Sequence, residues 1–346
     1  MKDRFLRACR REAVDATPVW FMRQAGRALP EYRAIRERAS LLEITRDAAL
    51  CAEVSLQPVA RLGEDAAIVF ADITTPRAGM GVEFDIVADV GPVMAHPVRS
   101  MADVERLRAF EPREHAGAVL EAISTLRRES PVPVIGFAGA PFTLASYLVE
   151  GRPSRRFEVV KAFMVNEPRA WSGLLERLAA TSAAWLGAQV EAGAQAVQLF
   201  DSWAGALAPD DYRARVQPHV RAVFDALPPV PAIHFGTGTA GLLPWMAEAG
   251  GDVIGLDWRI DLDRGWDLVR ERAVMGNLDP AMAAADRETA ERGARAVLER
   301  AAGRAGHVFN LGHGVLPHTP VDNLRRLVEL VHEATSRPGA AAAEGT

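Results

Sequence analysis

The sequence predicts an α/β protein folded as a single (β/α)8 TIM-type barrel, with its active site at the C-terminal ends of the strands. Three observations lead there. Eight short apolar, β-branched runs recur along 346 residues, and segments with helical spacing separate them. The length also suits one barrel, whereas an open doubly wound sheet usually has fewer strands and reverses direction at a switch point.

In chain order the runs are VWFM (19–22), AAIVFA (66–71), PVIGF (133–137), AVQLF (196–200), PAIHF (231–235), VIGL (253–256), AVMG (273–276) and HVFNL (307–311). Strands covered on both faces read as such continuous apolar runs. Between them, Leu175, Leu178, Ser182, Leu186 and Val190 fall on one helical face, as do Leu324, Leu327, Val328 and Val331. The stretch GMGVEFDIVADVGPVMAHPV (79–98) alternates apolar residues between Gly and Pro, so a hairpin-like insertion is expected there. No internal repeat or second domain is evident. Residues 1–336 read as one catalytic domain, and the small, polar residues 337–346 as a disordered tail.

A composition of 49% hydrophobic and 25% charged residues is that of an ordinary globular protein. The net charge of −5 offers no general attraction for nucleic acid or an anionic membrane. It is unevenly spread, however, because residues 1–36 carry nine Lys or Arg against four Asp or Glu. A local anion site or a solvated basic face would each produce this bias. Cys9 and Cys51 stand alone, outside any C-x-x-C or Cys/His ligand pattern, which argues against a disulfide scaffold or a cysteine-rich zinc site. The opening MKDRFLRACRREAVD lacks an apolar signal core, and no later run reaches transmembrane length. A cytoplasmic location is expected.

In a barrel the chemistry belongs just after each strand. The first run delivers Met22, Arg23 and Gln24, and the second Phe70, Ala71 and Asp72. The fourth delivers Phe200, Asp201, Ser202 and Trp203, and the last Asn310, Leu311, Gly312, His313 and Gly314. Arg23 and Arg27 are four apart, so in a helical turn their guanidiniums point the same way and call for a carboxylate- or phosphate-bearing ligand. Surface pairing with Glu31 or Glu37 is the alternative. Arg33 and Arg36, beyond Pro30, fit a surface role better. Asp72 follows an apolar run, where a carboxylate needs donors. It either receives N–H groups of a ligand or caps the turn at Thr74 and Thr75. Tyr147, Ser202 and His313 are single polar groups that suit either core satisfaction or ligand orientation. His307, His313 and His318 share no helical metal-binding face.

Gly236-Thr237-Gly238-Thr239-Ala240-Gly241, with Asp257 beyond it, has the dinucleotide-binding spacing. It falls in the fifth βα unit rather than the first. Nothing after it supplies the remaining strands of an open six-stranded sheet, so backbone contact with a ligand at the barrel mouth is the better expectation.

PVWFMRQAGRALPEYR resembles the N-terminal signature of the uroporphyrinogen decarboxylases, and GFAGAPFTLASYLVEG resembles their second signature. LQP (56–58), AAIVFADI, LFDSWAG, VIGLDW, GNLDP and NLGHG follow in family order to about residue 318. Ala28 departs from the aromatic residue common after QAGR, which affects only a packing detail. The resemblance implies a (β/α)8 barrel acting as a homodimer without cofactor or metal. Its substrate would be uroporphyrinogen, whose four acetates become methyls to give coproporphyrinogen. By the same resemblance Arg23 and Arg27, with Gln24 and Arg36 beside them, meet substrate carboxylates. Asp72 lies under the pyrrole N–H groups, Tyr147, Ser202 and His313 make further contacts, and Phe70 and Phe200 form apolar walls.

The implied chemistry uses the pyrrole as its own electron sink, with Asp72 stabilising the cation formed when a ring carbon is protonated. The proton donor is open. The residue matching Arg23, a substrate carboxylic group and a relayed water rank equally, since a guanidinium is a poor acid. Three rival readings are a zinc-dependent corrinoid-type methyltransferase on the same barrel, a non-catalytic tetrapyrrole carrier, and a nicotinamide enzyme using GTGTAG. Two isolated cysteines make the first weak, and a carrier would not need Asp72.

Overall fold

The structure, a computed structural model, describes residues 3–22, 28–87, 91–152 and 154–337. Nine strands are present among them: β1 (Ala67–Ile68), β2 (Phe84–Val87), β3 (Gly91–Met94), β4 (Val134–Gly139), β5 (Ala196–Asp201), β6 (Ala232–Gly236), β7 (Val253–Gly255), β8 (Ala273–Leu278) and β9 (His307–Leu311). Seven form one curled parallel sheet in the order β1-β4-β5-β6-β7-β8-β9. Helices connect successive members, as parallel pairing requires. The insertion is the expected antiparallel hairpin, with Phe84 opposite Met94 and Val87 opposite Gly91.

The first expected strand, 19–22, is a stave rather than a laddered strand. It makes one parallel bridge, Val19 to Phe309. Phe309 N donates to the Pro18 carbonyl at 2.9 Å, and Trp20 N to the Phe309 carbonyl at 3.3 Å. On the opposite side Val19 N donates to a carboxylate, Asp65 Oδ2, at 2.8 Å. Asp65 N returns a bond to the Val19 carbonyl at 2.8 Å, just before β1. The stave thus joins the two ends of the sheet, with a side chain standing in for part of a neighbouring backbone. β1 is short for a related reason. Val69 N still donates to the Ile135 carbonyl at 3.1 Å, but Phe70 N goes to Ser55 Oγ at 2.8 Å and Asp72 N to Thr75 Oγ1 at 3.4 Å.

Side-chain alternation shows that the stave still behaves as barrel wall. Trp20 and Met22 join Ile135, Ile233, Phe235, Met275 and Val308 in one buried cluster inside the barrel. Val19 and Phe21 belong instead to the larger cluster between sheet and helices. The N-terminal helix Arg4–Cys9 sends Phe5, Leu6 and Cys9 into the inner cluster. It plugs the end at which the strands begin, where Arg11 Nη1 donates to the Glu271 carbonyl at 2.7 Å just before β8.

Much of the basic bias at the N-terminus is therefore structural. Arg4 bonds Asp15 and, at 3.0 Å, the buried Asp65, which also meets His332 Nε2 at 2.7 Å. Burying one carboxylate among such partners satisfies its lone pairs and ties the first helix, the stave and the last helix together.

Candidate active site at the strand ends

Arg23, Gln24 and Arg27 lie outside the described residues. Their flanks are defined. Met22 and Ala28 are both buried, and the Met22 carbonyl accepts Val315 N at 3.0 Å while Met22 N donates to Asn310 Oδ1 at 3.3 Å. Met22 therefore stands beside the NLGHG loop at the strand ends. Glu31 pairs with Arg61 at 3.4 Å. Arg36 sits exposed at the end of the helix Pro30–Arg36, and its Nη1 donates to the Ala39 carbonyl, a use of Arg that suits a helix C-terminus.

Asp72 lies where the chain leaves β1. Its Oδ1 accepts Thr74 N at 2.8 Å and also the Thr74 hydroxyl, while its carbonyl accepts Thr75 N at 2.9 Å and Thr75 Oγ1 at 2.7 Å. The turn-capping role is thus real, yet it uses only one carboxylate oxygen. Oδ2 receives no hydrogen bond from the described residues. Phe70, two residues earlier, is held by Ser55 Oγ on its amide and by Cys51 Sγ on its carbonyl at 3.1 Å, and its ring lies 5.5 Å from that of Tyr32. Burial pushes the Cys51 thiol up to about 12, so it stays a neutral donor.

β4 and β5 supply the next part. Asp201, at the end of β5, is fully buried, and its Oδ1 accepts Thr143 Oγ1 at 3.1 Å. The same hydroxyl accepts Trp203 N at 3.3 Å. Thr143 and Tyr147 are one turn apart on the helix Pro141–Glu150, and the Tyr147 ring lies 4.1 Å from the Trp203 ring. One threonine thereby fixes the Ser202–Trp203 turn against Tyr147. Phe200 meets Phe137 edge-on at 5.5 Å and Phe235 at 6.0 Å, which makes an aromatic wall half open to the mouth.

The Ser202 carbonyl accepts the Thr237 hydroxyl, linking this turn to the glycine loop. That loop is already occupied by the protein itself. Gly238 N, at φ +67°, donates to Asp257 Oδ2 at 2.5 Å, and Arg259 Nη1 reaches the same oxygen at 2.6 Å. A Cβ on Gly205 would stand 2.2 Å from the Thr237 carbonyl oxygen, so the close approach of these loops requires glycine there. The G-x-G-x-x-G spacing with its distant Asp is therefore satisfied as a carboxylate-clamped turn at the mouth. At Gly238 it offers no free ligand-facing amide.

His313 completes the rim. Gly314 N donates to its Nδ1 at 2.7 Å, so the neutral ring carries its hydrogen on Nε2. The ring stands 6.4 Å from Phe235 and 6.3 Å from Trp258. Asp72, Tyr147, Ser202 and His313 thus all follow the C-terminal ends of strands of one sheet.

A sequence model described as "Uroporphyrinogen decarboxylase (URO-D)" matches residues 1–334. Two curated uroporphyrinogen decarboxylases agree closely. The one from Sorangium cellulosum is 56% identical over 337 residues, with 96% of each chain covered. The one from Thermus thermophilus is 53% identical over 338 residues, covering 97% of this chain and 99% of that one. The chain belongs to the uroporphyrinogen decarboxylase family.

Among solved structures, a methyltransferase from Methanosarcina mazei superposes with a TM-score of 0.82 at 21% identity, covering 96% of this chain and 98% of that chain. A B12-independent methionine synthase from Shewanella reaches a TM-score of 0.55 at 13% identity, covering 86% and 90%. At those identities the likeness carries the barrel fold alone, so it lends no weight to a methyltransferase reading over the decarboxylase family. Among the described residues no three His, Cys, Asp or Glu side chains are grouped to hold a metal ion, and no helix is long and apolar enough to cross a membrane.

Sequence reasoning overlooked several groups around this decarboxylase-family site. The sequence assigns no role to Thr143 and Arg77, and their importance shows only through what they touch. Trp203, placed at a strand end by the sequence, gains a role only through its contact with Tyr147.

Proposed function

We propose that the chain is a carboxy-lyase that removes the carboxyl groups of the four acetate side chains of uroporphyrinogen III, giving coproporphyrinogen III in tetrapyrrole synthesis. Family membership over residues 1–334 carries this reading. The geometry favours it at Asp72, whose one oxygen is anchored by Thr74 while the other is left for a ligand.

In each step a pyrrole ring carbon accepts a proton, and the cation draws in the electron pair of the breaking C–CO2 bond. The exocyclic methylene takes up a second proton to become methyl, and the ring proton is then lost. The net change is CH2–COO⁻ plus H⁺ to CH3 plus CO2. Asp72 supplies a fixed negative charge beside the cation, where a preorganised group acts most strongly. Arg23 and Arg27, with Gln24, take substrate carboxylates by charge-assisted bonds, while Arg36, exposed and bonded to the Ala39 carbonyl, is left out of that set. Tyr147, Ser202 and His313 orient the macrocycle between the Phe70 and Phe200 walls. The pyrrole is the electron sink, so the reaction calls for no cofactor or metal. Residues 1–336 form one catalytic domain working as a cytoplasmic homodimer, with neither nucleic acid nor membrane as partner.

The test is anaerobic incubation of purified, chelator-treated protein with uroporphyrinogen III, followed by oxidation and chromatography of the porphyrins. Coproporphyrin is expected. No decarboxylated product, or activity that returns only on adding zinc, would overturn the reading. Sedimentation at the assay concentration should show a dimer, and a purely monomeric active species would remove that part.

A further inference from the structure

Arg77 is a buried cation in a place where a cation is costly. It follows Asp72 by five residues in the 3-10 turn Thr75–Arg77 and is only 6% exposed. Its Nε donates to the Thr74 carbonyl at 3.3 Å and its Nη2 to Thr74 Oγ1, the hydroxyl that itself donates to Asp72 Oδ1. On its other side the guanidinium carbon stands 5.6 Å from the centre of the Tyr147 ring, and Nη1 lies 4.0 Å from Met94 Sδ on β3. Asp72, Thr74, Arg77, Tyr147 and Trp203 are therefore one connected chain of contacts, crossing from the end of β1 to the end of β5.

Burial lowers the Arg77 pKa, and the charges of Asp72 and Tyr147 act in the opposite direction. Among the described residues, Arg77 joins Thr74, which holds the Asp72 carboxylate, to the Tyr147 ring on its other side.

We propose that Arg77 is a positioning residue that fixes the Asp72 carboxylate through Thr74 and sets Tyr147 and Trp203 against it. This inference rests on the Asp72 reading above. Arg77 needs no contact with substrate. It orients the groups that have one, and supplies a buried positive charge that faces Asp72, Tyr147, Thr74 and Met94.

The test compares Arg77→Met, Arg77→Lys, Thr74→Val and Asp72→Asn in one anaerobic decarboxylation assay, with thermal melts of each. For Arg77→Met, kcat should fall on the order of 10-fold or more, as when an outer support of a reacting group is removed, with KM within about two-fold. Its melting temperature is read alongside, so that a fall in kcat is scored only on folded protein. Lys should recover part of kcat, because it restores charge without the planar fork. If Arg77→Met keeps kcat within about two-fold while Asp72→Asn loses activity, the inference is overturned and the Asp72 reading stands. If Asp72→Asn is itself active, both fall. Should Arg77→Met not fold, Thr74→Val breaks the same link with the charge retained, and a kcat within about two-fold of the parent would equally overturn the proposal.

Discussion

The Thr74 amide donates to Asp72 Oδ1 at 2.8 Å, so the carboxylate is held by its own turn from one side only. Asparagine preserves that acceptor oxygen and removes the charge. Asp72→Asn should therefore fold normally and lose on the order of 10²-fold or more in kcat, the scale of deleting one preorganised electrostatic group. Asp72→Glu keeps charge and shifts it by a methylene, so its activity weighs charge against placement. Single-turnover decarboxylation at saturating substrate reads both. A well-folded Asn variant within a few-fold of the parent would leave Asp72 as a turn cap.

Arg23→Ala and Arg27→Ala should weaken substrate capture and positioning, each removing a charge-assisted pair worth roughly 1.5–3 kcal/mol. Lysine at either position should rescue poorly, since it cannot make the two-point contact. Near-parental kcat/KM in both alanine variants would assign the pair to surface electrostatics instead.

Thr143→Val removes the hydroxyl shared by Asp201 and Trp203 while keeping side-chain shape. It should lower stability by about 1–3 kcal/mol, because a buried carboxylate oxygen loses its donor. KM should also rise as the Ser202–Trp203 turn loosens. An unchanged melting temperature together with an unchanged KM would show that the clasp does not hold the turn.

His307 is buried, with Nε2 3.0 Å from the Gly276 carbonyl, and burial lowers its pKa to about 4. The unfolded chain, with an imidazole near ~6.5, then binds more protons than the native state between these values. Stability from this group is full above the unfolded pKa and is lost as pH falls toward 4 and below. Between pH 7.5 and 4 the parent should lose on the order of 3 kcal/mol more than His307→Gln. Urea unfolding across that range measures it, and parallel curves for the two proteins would refute it.

The order of strands and helices was legible because a strand covered on both faces is a short apolar run, and a helix on the outside repeats its apolar residues at a fixed period. Both are local properties. The hairpin at 84–94 and the positions of Asp72, Ser202 and His313 after strand ends follow from the same reading. The stave at 19–22 shows its limit, since its apolar residues alternate as a strand's do while its ladder is partly made by the Asp65 carboxylate, 46 residues away.

Residues whose meaning depends on a distant partner were beyond that reading. Arg77 looks like any turn arginine until it is seen under Tyr147, and Thr143 like any helical threonine until Asp201 and Trp203, about 60 residues on, converge on it. The glycine loop misled for the same reason. Its spacing advertises free amides, but Asp257 on a neighbouring strand end has taken the one at Gly238. Periodicity is written in neighbouring residues, whereas the pairing of buried charges and donors is settled only when the barrel closes and brings separate strand ends within hydrogen-bonding distance.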